Sequence, residues 1–298
     1  MTASIYRLAC IYNGYTMFKF DFINDNEKTE DIENVKEECS PQCRPSLEVS
    51  LSAGTHGVER SEVLRAVEPF AVSDQVTVFK GVIRADDGHV SRDLSMPSDI
   101  IPGEYEGGYK IWECSIDLSR YIASLGSESI IDKRIIELGS GQGLPGVTAM
   151  ALGAAEVHFQ DYDAEVIETL TIPVVRENMK SLASERCKTR FFSGDWGTLD
   201  TDVLEGLGLS GSYDIVLTSE TIYNIDSTSR LLQCIQKCLR KPDGVCFLSA
   251  KSFYFGVGGG VAAFKSLVDH DGCMKHETVL VIDDGKSNRR EIIKLSFT

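Results

Sequence analysis

At 298 residues, with 42% hydrophobic and 25% charged residues, the chain has the makeup of a globular protein with a sizeable core. A net charge of −15 argues against general affinity for nucleic-acid phosphates and suits either a basic protein partner or plain solubility. Nine cysteines lack the paired spacings of a metal site, and no signal peptide or apolar run near ~18 residues is read, so free thiols, no metal, no membrane and a cytoplasmic or nuclear location are expected.

Residues 1–57 read as an acidic, largely disordered or loosely attached segment. Residues 21–38 hold eight acids against two lysines, and prolines, serines and glycines follow. The stretch is either a solvated tail or a docking arm for a basic partner. Residues 58–100 read as a small accessory β element, with a short helix over 62–67, a strand over 75–83 and a turn at Asp86-Asp87-Gly88. The main domain starts at residue 101. There Tyr105, Tyr109 and Trp112 surround Gly107-Gly108, and helical spacing runs over 115–125. These aromatics either cover a hydrophobic edge or form a lid over a ligand.

Residues 134–138 are short, apolar and β-rich, with Glu137 near the end. Gly139, Gly141 and Gly143 then let the backbone turn tightly and approach a ligand. Pro145 sits where a first helical turn accepts proline, and a helix continues over 147–152. A second strand over 155–160 leads into Asp161, 22 residues beyond Gly139, where an acid reaches ribose hydroxyls in a nucleotide-binding βαβ unit. Read from Gly141, the turn is G-x-G-x-x-G (Gly141, Gly143, Gly146), which leaves a nicotinamide cofactor open. Read from Glu137, it is E-x-G-x-G-x-G, which resembles motif I of the class I S-adenosylmethionine (SAM) methyltransferases. An acid on that strand suits the cationic amino and sulfonium groups of SAM.

A helix over 164–180 is expected to bend at Pro173. The third strand, 188–192, ends in Ser193-Gly194-Asp195-Trp196, where Trp196 can stack on adenine and Asp195 can accept from its exocyclic amine, unless the indole belongs to the core. A helix over 199–207 and a fourth strand over 213–218 lead to Ser219-Glu220-Thr221-Ile222-Tyr223-Asn224. Glu220, Tyr223 and Asn224 offer a carboxylate, a phenol and an amide able to orient a nitrogen nucleophile or accept its proton. A helix over 227–240, carrying Cys234 and Cys238 as buried thiols, precedes a fifth strand over 245–250. The run Lys251-Ser252-Phe253-Tyr254-Phe255-Gly256-Val257-Gly258-Gly259-Gly260 is not a phosphate-binding P-loop, because Val261-Ala262 follows. It is either a substrate lip or a mobile connection. A helix over 261–269 and strands over 277–282 and 291–297 complete the chain. The series predicts an α/β open sheet, mostly parallel with an antiparallel C-terminal hairpin, and ligands at the carboxyl ends; the resemblance to motif I implies the seven-stranded class I SAM methyltransferase (Rossmann-like) form of that sheet.

Together, the runs 105–114, 139–146, 160–162, 219–224 and 255–260 resemble the protein-histidine methyltransferase family, seven-β-strand SAM enzymes related to the lysine methyltransferases, over roughly residues 101–298; residues 18–22 and the acids after them also resemble the family's start. The resemblance implies SAM as cofactor, S-adenosylhomocysteine as product, and methylation of one histidine on a large-subunit ribosomal protein; a monomer without direct nucleic-acid binding is expected. It implies SAM contacts from Ile111, Trp112, Glu113, Cys114, Ser115, Gly139, Gln160, Asp161, Tyr162, Gly194, Asp195, Trp196 and Ser219. Two departures stand out. Gln142 and Pro145 vary a turn that many relatives write G-x-G-S-G-L, and Lys251-Ser252-Phe253-Tyr254 replaces a lysine-alanine-histidine-tyrosine run. A protein-lysine methyltransferase of the same fold is the nearest alternative; it must deprotonate an amine of pKa about 10.4. A non-catalytic SAM-fold binding module is a second. A dehydrogenase lacks a substrate domain after the βαβ units, and an RNA enzyme would need a basic surface.

Overall fold

The computed structural model divides the chain into two units, Met1–Gln42 and Cys43–Thr298. It describes residues 11–12, 15–16, 44–50, 64–83, 106–181, 187–254, 258–285 and 287–298. In the first unit Ile11–Tyr12 pairs antiparallel with Tyr15–Thr16. Residues 18–38, with their acidic run, lie outside the described residues.

In the second unit, strands β1 (Leu47–Val49), β4 (Arg134–Leu138), β5 (Glu156–Asp161), β6 (Lys188–Ser193), β7 (Ile215–Ser219), β8 (Val245–Lys251), β9 (Met274–Ile282) and β10 (Arg290–Phe297) make one eight-stranded sheet. Its order is β9-β10-β8-β7-β4-β5-β6-β1. The five from β8 to β6 are parallel, while β10 pairs antiparallel with β8 and β9 antiparallel with β10. Strands covered on both faces must be apolar on both faces, which is why β4 reads as a continuous run. Its Ile135 faces a core that includes Leu118 and Ile122 of helix α1 (Glu113–Ser124) and Val147 of α2 (Leu144–Ala151). The next residue, Ile136, faces the opposite core, with Leu231 and Ile235 of α4 (Ile225–Cys238) and Phe264 of α5 (Val261–Asp271). That alternation is the period-two geometry of a strand. Among the described residues no helix is long and apolar enough to cross a membrane.

Three expectations need correction. The first is the helix over 62–67: β2 (Leu64–Ala71) pairs with β3 (Thr77–Ile83) as a separate hairpin. Buried Leu64 closes on Leu170 and Val174, a tertiary contact that overrides local helical spacing. The second is the bend at Pro173. It is a π-helical turn, Ile167–Thr171, between Ala164–Val166 and α3 (Ile172–Ser181), and it carries the Thr171 hydroxyl to the carbonyl of Gly141 at 2.6 Å. A second π turn, Asp200–Leu204, follows the short helix Trp196–Leu199 where one helix over 199–207 is expected.

The third concerns the segment 1–57. Residues 44–50 are an integral edge of the sheet, with β1 antiparallel to β6 (Leu47 opposite Ser193, Val49 opposite Phe191). The eighth strand is pinned by Ser46, whose hydroxyl donates to the Asp195 carbonyl and whose amide donates to Asp202, at 3.0 Å each. The accessory hairpin is pinned as well. Asn178, itself buried, accepts from Phe79 N on Oδ1 and donates from Nδ2 to Phe79 O, both at 2.8 Å. Asn178→Ala strands that pair of backbone groups, so it is expected to lower unfolding stability by about 2–3 kcal/mol. Denaturant unfolding, with hydrogen exchange at the Phe79 amide, measures it; an unchanged midpoint would show that the hairpin does not need this anchor.

Candidate active site

The glycine turn between β4 and α2 is bounded on every side by groups that a Cβ would strike. Gly139 adopts φ +66° under Thr221, and Gly141 adopts φ +48° with its ideal Cβ position 2.7 Å from the carbonyl of Gly108. The aromatic loop before α1 therefore lies directly on the turn, as a lid does. Gln142 fastens it there: Nε2 donates to the carbonyl of Tyr109 at 3.1 Å and Oε1 accepts from the Gly81 amide of the accessory hairpin at 2.9 Å. Trp112 caps the lid, its indole donating to the Gly107 carbonyl, with Lys110 over its ring.

The acids at the strand ends face inward. Glu137 is buried and its Oε2 accepts from the Gly146 amide at 2.8 Å. Burial pushes its carboxyl well above the usual range, against the pull of that amide. Its carboxyl group thus holds the start of α2 through Oε2. Gln160 is likewise occupied, bonded to Gly139 N, Trp196 Nε1 and Gly194 O at 3.3, 2.9 and 2.8 Å. Asp161 spans Gly141 N at 2.8 Å and Asp163 N at 3.3 Å, and burial raises its pKa to about 6 even though those amides pull it down. Gly143 turns with φ +74° over Phe159, and Ser140, buried on the same turn, has a hydroxyl without a hydrogen-bond partner among the described residues. Asp195 caps the Trp196–Leu199 helix through Gly197 N and also takes Arg230 at 3.1 Å. Tyr162 lies beneath the guanidinium of Arg44, 4.4 Å from its ring centre. Gly194, with φ +117°, is pressed against the backbone of Ser46.

The acceptor end sits after β7 and β8. Ser219 closes β7, and Glu220 follows in the left-handed region at φ +58°, its amide donating to the Ser249 carbonyl. Tyr254 Oη donates to Glu220 Oε2 at 2.5 Å, and Lys251 Nζ stands 3.7 Å from Glu220 Oε1. Cys114, expected at the cofactor, is fully buried against Glu220; burial first, and then that charge, push its thiol well up. Glu113 instead pairs outward with Lys251 and Arg290, both at 3.9 Å. Ile111 packs on the core beside α1, and the Ser115 amide donates to the Trp112 carbonyl. Of the two other acceptor-end candidates, Tyr223 packs edge-on against Tyr254. Asn224 is the N-cap of α4, its Oδ1 accepting from Asp226 N at 2.9 Å. In the glycine run, Gly259 and Gly260 exist for close approach: a Cβ would lie 2.1 Å from the Ile222 carbonyl and 2.6 Å from that of Ser252. Gly258 is open on its outer side, while Phe255 and Gly256 lie outside the described residues. Sequence reasoning missed Thr221, Arg44 and Arg230; only their contacts, and no spacing, mark them.

Parallel strands, a glycine turn, buried acids at the strand ends and an unpaired turn hydroxyl define a class I SAM-dependent methyltransferase, and this donor and acceptor set suits a ligand bearing a ribose and a cationic centre. A solved structure described as a putative SAM-dependent methyltransferase from Streptococcus mutans shares the fold, with TM-score 0.51 and 12% identity over 77% of this chain and 55% of that one. A family model described as lysine methyltransferase matches residues 100–253. The histidine protein methyltransferase 1 homolog of Rattus norvegicus is 35% identical over 90% of this chain and 80% of its own length. That of Dictyostelium discoideum is 40% identical over 67% of this chain and 60% of its own length. The chain belongs to this protein-histidine methyltransferase family, whose members are enzymes that use SAM.

Asp161 gives a pH test. Its folded pKa, about 6, exceeds the unfolded value of about 3.9, so its contribution to stability is complete below pH ~4 and is lost as pH rises through about 6. Asp161→Asn is therefore expected to stabilise the SAM-free protein at pH 7.5 by about 2 kcal/mol, to do nothing at pH 4, and to weaken SAM binding at least about tenfold. Thermal melts at the two pH values and calorimetric titration with SAM check both halves; equal melting shifts at the two would exclude the desolvated carboxylate. Gln142→Ala is expected to raise the SAM dissociation constant by about tenfold, since lid and hairpin both lose their tie to the turn.

Proposed function

We propose that this chain transfers a methyl group from SAM to an imidazole nitrogen of a histidine in a basic protein, with a large-subunit ribosomal protein as the substrate class. Family membership and the activity named for the relatives support histidine. The net charge of −15 supports a basic substrate. SAM would be held by the turn Gly139, Gly141 and Gly143, by Asp161 and Tyr162, by Trp196 with Asp195 and Gly194, by Ser219, and by Ile111, Trp112 and Ser115 of the lid. When bound, it supplies a methyl group on a sulfonium that leaves readily. The protein's task is then to hold a neutral nucleophile in line.

The observation that carries this reading is the acceptor end itself. Glu220 is the carboxylate there, and it is already bonded to Tyr254 and paired with Lys251. Such a carboxylate is badly placed to strip a proton from a second ammonium, which a lysine acceptor near pKa 10.4 demands, and well placed to orient an imidazole that is neutral above about 6.5. Lysine remains the second reading because the family model is described by that residue. Free, buried Cys234 and Cys238, with sulfurs 3.9 Å apart, go with a reducing compartment such as the cytosol or nucleus.

The test incubates purified enzyme and labelled SAM with proteins stripped from ribosomes, followed by mass spectrometry of the labelled band. Methyl on a histidine of one basic large-subunit protein, lost with Asp161→Ala, is the expected outcome. Methyl on lysine would overturn the target, and no transfer despite SAM binding would move the chain to a binding role.

A further inference from the structure

We infer that Glu220 Oε1 receives the N–H of the incoming imidazole, and that Lys251 and Tyr254 are positioning residues that hold this carboxylate in place; the inference rests on histidine as the acceptor. Three observations lead here. Glu220 is a non-glycine residue at φ +58°, an unfavourable conformation that persists where the surroundings impose it. Its side chain is 7% exposed, and Oε1 has no hydrogen-bond partner among the described residues. Buried acceptors are rarely left so, and the exceptions mark sites of function.

The two supports act on different atoms. The backbone amide of Lys251 donates to Tyr254 Oη at 3.3 Å, so the phenol proton is left to donate to Glu220 Oε2 at 2.5 Å. Burial, then the charge of Glu220, raise the Tyr254 pKa, so the phenol stays a donor at every working pH. The Lys251 ammonium stands 3.7 Å from Oε1, an ion-pair distance too long for a hydrogen bond to that oxygen. The other charged or titratable groups facing this cluster are the Cys114 thiol, which hydrogen-bonds the Glu220 carboxylate, Glu113 and Asp117 of α1, and Tyr223, edge-on to Tyr254. Arg290 of β10 engages Asp117 at 2.6 Å and shares Glu113 with Lys251, each at 3.9 Å, so Lys251 stands between Glu113 and Glu220.

A neutral imidazole has one N–H and one lone pair, on opposite nitrogens. With the N–H donated to Glu220 Oε1, the lone pair points away from the carboxylate. It forms the new N–C bond as the C–S bond breaks with its electron pair on sulfur. Positive charge thereby moves onto the ring beside the carboxylate, and the remaining N–H proton leaves through Glu220 to solvent. The carboxylate thus selects one tautomer and stabilises charge only as it develops.

A double-mutant cycle tests this, with kcat on the histidine substrate and SAM affinity read separately. Glu220→Ala is expected to lower kcat about 100-fold and Glu220→Gln, which keeps an acceptor oxygen and loses the charge, about tenfold. Tyr254→Phe and Lys251→Met should each cost about tenfold in kcat in the wild-type background and nothing further with Glu220→Ala, while SAM affinity stays within about twofold throughout. A purely structural role would lower SAM affinity and melting temperature together, and would add to Glu220→Ala. The Gln variant keeps the cycle readable should the Ala variant fold poorly. Histidine methylation that survives Glu220→Ala at half the wild-type kcat or more overturns the role of Glu220 alone. A wild-type rate that climbs toward pH 10, with product on lysine instead of levelling above about 6.5, overturns the histidine reading on which the inference rests.

Discussion

The site depends on the side-chain amide of Gln160, which joins the ends of three parallel strands. Where β4, β5 and β6 stop, their backbone groups leave the ladder and need partners inside a nearly dry interior. Gln160 meets this need with both ends of its amide, taking Gly139 N and the Trp196 indole on oxygen and giving a proton to Gly194 O, while its own carbonyl accepts Ser140 N at 2.8 Å. A shorter amide could not reach all three loops, and a carboxylate could not donate. Glu137 and Asp161 complete the arrangement from neighbouring strands by holding Gly146 and Gly141. The glycine turn is therefore rigid before any ligand arrives, which lowers the ordering cost of binding.

What lies outside the core methyltransferase sheet contributes to the same rigidity. The edge strand β1 brings the carbonyl of Arg44 to the Asp195 amide at 3.1 Å and the guanidinium of Arg44 to Tyr162. The hairpin β2–β3 reaches the turn through Gly81 and Gln142. Both peripheral pieces thus bear on loops that carry the sequence motifs.

The parallel strands, the closing hairpin and the glycine turn were legible because each depends on local signals: apolar runs of strand length, glycines at positive φ, and a proline in a first helical turn. The missed features are all decided by distant partners. Strand β1 has three residues, too few for a pattern, and exists because β6 offers an open edge. Glu137 reads as a cofactor acid, and only packing shows that Gly146 N takes one of its oxygens. Asn224 has the chemistry of a catalytic amide and the position of a helix cap, and spacing alone does not separate the two. Gly259 and Gly260 read as mobile or exposed, whereas the backbone of 222–223 and 252–253 approaches so closely that no side chain fits. In each case sequence names the functional group, and packing assigns its use.

The two ends of the sheet show the same physics with opposite outcomes. At the amino ends of β4 to β6, charges are matched: Glu156 takes Arg134 at 2.7 Å and Lys188 at 3.4 Å, and Arg190 takes Glu48 at 2.7 Å. Buried His158 there binds Tyr213 Oη, and burial lowers its pKa to about 4, so it stays neutral. At the carboxyl ends, Ser140 Oγ, Ser249 Oγ and Glu220 Oε1 are buried without hydrogen-bond partners among the described residues, and Glu220 sits in a costly backbone conformation. The cavity of about 680 Å³ beside the amino ends is larger than many ligand pockets, yet its polar side chains already satisfy one another. Size alone would direct attention to the wrong end. The coincidence of an unmet acceptor and a left-handed backbone at Glu220 points to the carboxyl ends; Asp132 shares the backbone at φ 60° and Asp200 Oδ1 the missing partner among the described residues, so neither feature alone marks a site.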